Sequence, residues 1–195
     1  ITARAPGRMD VMGGISDYSG SLLLQMTVKQ MTIVQVQERT DSIIQLRSLI
    51  NKSKSQNFSI DSNLLTDKNY AEASSLIHSY PGGDWANYIL GCIMVLYIEK
   101  NLAFTGMNIL IQSNVPMGKG VSSSASLEVA TLCALEKIYN IKFEDTELPI
   151  LAQKAENLMV GAPCGLMDQL SSYLGNKNKL LPLICQPHQV FSPVS

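Results

Sequence analysis

Charge is scarce in this sequence. Only 16% of its 195 residues are charged, and 15 Lys and Arg nearly cancel 16 Asp and Glu to leave a formal net charge of -1. That balance removes the electrostatic case for nucleic acid or an anionic membrane as a partner. Long apolar runs are also missing: IMVLYI, from Ile93 to Ile98, falls far short of the ~20 residues that a membrane span needs. No basic segment followed by an apolar stretch opens the chain, so nothing marks it for secretion. The cysteines Cys92, Cys133, Cys164 and Cys185 lie far apart and without metal-ligand spacing, as expected of reduced thiols in a cytoplasmic protein. His78 and His188 have no metal or triad partner in sequence, and no G-x-S-x-G nucleophile motif occurs. What is abundant is apolar: 46% hydrophobic residues suffice for the core of one large globular domain.

The order of patterns along the chain predicts an α+β fold. ITARAPGR reads as extended, and MDVMGGISDYSGS after it as a glycine-rich loop. Residues 22–36 and 42–50 alternate and are rich in β-branched side chains, which predicts strands. Residues 51–79 are polar and are expected to form a mobile insertion. Apolar residues at helical spacing predict helices over 85–100, 125–139, 146–159 and 167–173, with strands at 106–113 and 179–185. The absence of regular βαβ repeats argues against a doubly wound sheet.

Chemistry concentrates in NVPMGKGVSSSASLEVA, Asn114 to Ala130. Gly118 and Gly120 would let a main chain come close to a ligand, Lys119 adds charge, and Ser122, Ser123 and Ser124 offer hydroxyls after Val121. A helix start presents unpaired N–H groups and a partial positive charge, so the stretch suits a phosphate; a serine-capped turn with no ligand is the simpler alternative. The Walker A spacing is not met, because Gly120 follows Lys119. Asp168 lies at the start of a short helix, where it is either a cap or a working carboxylate. Glu156, near a helix end disfavoured by the dipole, is either solvated or, with a loop serine, a ligand for Mg²⁺. Arg8 and Asp17 bracket the glycine-rich entry loop as a surface pair or as a grip on substrate hydroxyls, and Trp85 and Tyr88 share a helix face as core or as a wall for a nucleobase.

Four segments in order, APGRMDVMGGISDYSGS, DWANY, VPMGKGVSSSASLEVA and ENLMVGAPCGLMDQ, resemble the galactokinase branch of the GHMP small-molecule kinases, and the first also resembles plant-type L-arabinokinases. The resemblance covers most of residues 1–195 and implies the GHMP amino-terminal domain, with a ribosomal protein S5 domain 2-like arrangement. It implies ATP as co-substrate, with the 118–124 loop around its phosphates, Ser124 and Glu156 on Mg²⁺, and Trp85 and Tyr88 beside adenine. Asp168 would be the catalytic carboxylate and Arg8 its partner beside the anomeric hydroxyl, while Asp17 would hold ring hydroxyls of a monosaccharide. Gly14 and Ile15 stand where galactokinases carry Glu-His for the C6 oxygen. With Ile15 filling the vacated space, L-arabinose is the expected acceptor; galactokinase activity and a non-catalytic sugar and ATP sensor are the alternatives. A further glycine-rich motif in a carboxy-terminal domain belongs to the family and is absent from these residues, so that domain is expected in the full protein.

Overall fold

The computed structural model describes residues 1–49 and 54–194. A mixed sheet carries the fold. Its strands are β1 (Thr2–Met12), β2 (Leu23–Glu38), β3 (Ile43–Leu49), β4 (Ser55–Asp61), β5 (Met107–Ser113), β6 (Leu180–Cys185) and β7 (His188–Val190). They lie in the order β4-β3-β5-β2-β6-β7, with β1 along the other side of β2. Only the β3–β5 pair is parallel; the remaining ladders among the described residues are antiparallel. The long β2 is central because its first residues pair with β6 and its last with β5, while β1 follows both halves.

The helices are α1 (Tyr70–His78), α2 (Gly83–Lys100), α3 (Ser123–Ile138), α4 (Glu147–Ala155) and α5 (Met167–Leu174). The π-helical turn Glu156–Val160 continues α4 and ends at left-handed Gly161. α2 is apolar almost all round and correspondingly buried, with Ile89, Leu90, Ile93 and Met94 in the main core. Each such side chain contributes ~1.5–3 kcal/mol by leaving water. α3 lies across β1 and β2 and is fastened there by Ser126, whose hydroxyl bonds to the Ala5 carbonyl at 2.9 Å and to Thr32 at 2.8 Å.

The α+β expectation and its order of elements hold, but three local readings change. Within 51–79, residues 55–78 carry regular elements: β4 pairs with β3, and α1 packs on α2 with Ala73 and Ile77 buried. Their polar composition misled because only alternate residues of an edge strand, here Phe58 and Ile60, face the core. A capping box between Asn69 and Glu72 starts α1. Residues 51–53 of that stretch lie outside the described residues. The extended β1 also continues through Met12 into the segment expected to be loop, and the helix expected over 146–159 changes to the wider turn at Glu156.

Candidate functional site

The site forms where β1, the loop before α3 and the start of α5 meet. In β1 the register slips between Pro6 and Arg8; Arg8 pairs with Thr27 in the ladder while its N–H turns to the Val121 carbonyl at 3.1 Å. The Arg8 guanidinium then reaches the Gly120 carbonyl at 2.8 Å through Nη1 and Asp168 Oδ1 through Nε at 2.8 Å and Nη2 at 2.7 Å. The Ser122 hydroxyl donates to the other oxygen, Oδ2. Asp168 is therefore held from both sides, in one orientation, at the foot of the Gly-Ser loop.

That loop owes its path to backbone conformation. Gly118 and Gly120 have φ of 67° and 68°, and a Cβ on either would meet nothing within 4 Å, so what excludes other residues is the left-handed backbone, not lack of space. Ser122 takes the same conformation with a side chain, at φ 55°. It heads α3 without capping it, since its hydroxyl is committed to Asp168, and the first N–H groups of α3 have no side-chain cap. Lys119 is exposed on the loop, with Ser123 and Ser124 half-buried behind it. Trp85 and Tyr88 from α2 do meet this loop: with Met117, Gly118, Ser123 and Ser124 they line a largely apolar cavity of about 340 Å³.

Behind the loop sits a buried acidic cluster. The Glu156 carboxylate accepts hydrogen bonds from Gln169 Nε2 at 2.8 Å and from Cys164 Sγ at 3.5 Å, and the Ser124 hydroxyl lies near enough to favour its charged form. Glu128, one helical turn after Ser124 and fully buried, lies alongside. Burial, with the neighbouring carboxylates, raises Glu128 well above the ordinary glutamate range, and burial also raises Glu156 against the opposing hydrogen bonds of Ser124 and Cys164. Glu128 Oε1 and Gln169 Oε1 are buried without a partner. Hard oxygen donors from one hydroxyl and one carboxylate, close together beside the Gly-Ser loop, fit a Mg²⁺ that takes its other ligands from phosphate and water.

The entry loop departs from expectation. Asp17 is 7% exposed, and its Oδ1 accepts the Met167 N–H at 3.1 Å, so in this structure it secures the start of α5. Ile15 does not fill a pocket: it is 96% exposed. The left-handed Gly13 turns the chain so that Ile15 points outward, and the space above Gly14 is taken by Asp10, whose carboxylate accepts the Gly14 N–H at 3.1 and 3.0 Å. Asp10 also accepts from Gln25 at 2.7 Å. The residues that sequence reasoning missed are Asp10, Glu128, Cys164 and Gln169. A glutamate inside the apolar run LEVATL, four residues after a loop serine, was the one signal in the sequence, because a solvated acid does not belong on a buried helix face.

The family described as GHMP kinases N terminal domain matches residues 87–176. L-arabinokinase of Arabidopsis thaliana is 39% identical over 97% of the chain, which spans 21% of that protein. Lactococcus lactis galactokinase, solved with galactose, superposes with a TM-score of 0.76 at 25% identity, over 99% of this chain and 47% of that one. The mevalonate kinase of Methanococcus jannaschii shares the fold, with a TM-score of 0.77 at 18% identity over 98% of this chain and 56% of that one. The chain thus spans about a fifth of the curated relative and about half of the solved structures. No described helix is long and apolar enough to cross a membrane.

Proposed function

The chain carries the amino-terminal domain of the GHMP kinases, and from that premise we propose that it forms the ATP- and sugar-binding half of a kinase that phosphorylates the anomeric hydroxyl of a monosaccharide, L-arabinose first. The observation that carries the reading is Asp168, clamped by Arg8 and Ser122 at the Gly-Ser loop. A carboxylate fixed by a guanidinium can receive a proton on its free side. In the proposed reaction the acceptor hydroxyl replaces Ser122 at Oδ2, its oxygen bonds to the γ-phosphorus of ATP, and the bond from that phosphorus to the bridging oxygen breaks. The hydroxyl proton passes to Asp168 and ADP leaves with the electron pair. Arg8 keeps Oδ1 occupied, so the proton has one destination. Such transfer is governed mainly by positioning and by neutralising charge.

The uncapped N-terminus of α3 and Lys119 would receive phosphate oxygens, and Trp85 and Tyr88 would flank the base in their cavity. Ser124 and Glu156 would hold Mg²⁺, which supplies neutralisation of phosphate charge when bound. Asp17, Gly14 and the segment between them border the sugar side. L-arabinose is supported by the 39% identity to the Arabidopsis L-arabinokinase and by Gly14, which carries no side chain toward a C6 oxygen. Galactose is the second acceptor to consider, because of the galactokinase that superposes on this chain.

The test is ATP consumption by the full-length protein with Mg²⁺, offering L-arabinose and D-galactose in parallel. Turnover with arabinose, poor use of galactose, and a loss of ~10²–10⁴-fold in Asp168→Asn are expected. No turnover of either sugar by a folded protein would sink the assignment.

A further inference from the structure

Gln169 is next to Asp168 in α5 but faces the other cluster. Consecutive helical residues point about 100° apart, so one turn of helix can serve two sites. Asp168 meets Arg8 and Ser122, whereas the Gln169 amide, fully buried, donates to Glu156 Oε2 at 2.8 Å and approaches Glu128 Oε2 at 3.4 Å and Cys164 Sγ at 3.5 Å. Its other end, Oε1, is buried with no partner. For packing alone an apolar side chain of that length would serve better, because a buried acceptor without a partner is costly. What an apolar side chain cannot supply is the donor. A lysine could supply one, but would cancel the negative charge of Glu156. A neutral amide orients the carboxylate and leaves its charge available to a cation.

We propose that Gln169 is a positioning residue for the metal–nucleotide: its amide sets the Glu156 carboxylate beside Ser124, and α5 thereby fixes the metal-side carboxylate and Asp168 relative to each other. The loop between Glu156 and α5 supports the arrangement. Asn157 and Gln153 bind the Cys164 backbone, at 2.8 Å to its N–H and 3.0 Å to its carbonyl respectively, and Cys164 Sγ adds a second contact to the same Glu156 oxygen. This inference rests on the kinase reading, and its test separates the two.

The experiment uses the full-length protein and Gln169→Met, which keeps length and removes the donor. Mn²⁺ binding in the presence of a non-hydrolysable ATP analogue is followed by electron paramagnetic resonance, beside thermal melting and the KM for sugar. The Met variant should bind Mn²⁺–nucleotide at least tenfold more weakly and need correspondingly more Mg²⁺ for half-maximal turnover, with the sugar KM within twofold of the parent. Binding within twofold of the parent overturns the role of Gln169 while leaving the kinase reading intact. No Mn²⁺–nucleotide binding by the parent itself overturns both. If the Met variant does not fold, Gln169→Asn, too short to reach Glu156, is held to the same outcomes.

Discussion

Exchanging Gly14 and Ile15 for the glutamate and histidine of the galactokinase pattern is the direct test of sugar choice, and the structure predicts that the exchange fails without a third change. A Cβ on Gly14 would lie 2.6 Å from Asp10 Cγ and closer still to Oδ2. Asp10 must therefore move, giving up the Gly14 N–H and its 2.7 Å bond from Gln25. Gln25 is buried and its Oε1 already lacks a partner, so losing the Asp10 contact leaves both ends of the amide unsatisfied. A hydrogen bond to a charged group contributes ~1.5–3 kcal/mol. The new glutamate also brings a like charge beside Asp10, and the nearly fully exposed Ile15 offers nothing in compensation. A loss of ~2–3 kcal/mol follows, a fall of ~4–12 °C in the melting of a domain this size. Adding Asp10→Ser should relieve the clash and the like charge and allow the new carboxylate to turn toward substrate, while Gln25 stays unsatisfied. The assay is thermal melting of the full-length double and triple variants, with arabinose and galactose turnover measured on each. A double variant that melts within about 1 °C of the parent would refute the role of Asp10 in holding the space above Gly14. A stable triple variant that ignores galactose would refute the role of Gly14 in sugar choice.

Two further outcomes are expected. Gly118→Ala and Gly120→Ala should each cost ~1–2 kcal/mol of stability through backbone conformation alone, and should also raise the KM for ATP. Gly161→Ala, with φ 77° and equally open space, should match that stability cost with no change in KM; equal KM effects at all three would remove the phosphate-loop assignment. Trp85 is the only tryptophan and lines the cavity beside the loop, so ATP should change its fluorescence while sugar alone leaves it constant. A change on adding sugar but none with nucleotide would place the nucleotide elsewhere.

The parts of the fold that could be read in the sequence are those in which the pattern is local. Helix α2 announces itself by an apolar run too long for a strand, and β5 by its alternation; in both, neighbouring residues carry the whole signal. The Gly-Ser loop was legible for the same reason, since left-handed positions need glycine wherever the partner lies. β4 and α1 were lost because their inward residues are few and their polar faces dominate a composition average, although Phe58 and Ile60 two apart already carry the strand period. Of the acidic cluster only Glu156 was legible, and the rest was lost for another reason: its members come from three elements, and Gln169 meets Glu128 from 41 residues away. Taken singly, a glutamate on a helix and a glutamine after an aspartate have ordinary surface roles. Ile15 shows the converse: its motif position suggests a side chain that fills a space, while the left-handed turn at Gly13 leaves it 96% exposed here. Side-chain identity travels along the chain, but direction is set by backbone conformation. Asp10, four residues before Gly14 and outside the Glu-His positions of the galactokinase pattern, holds the space above Gly14 instead.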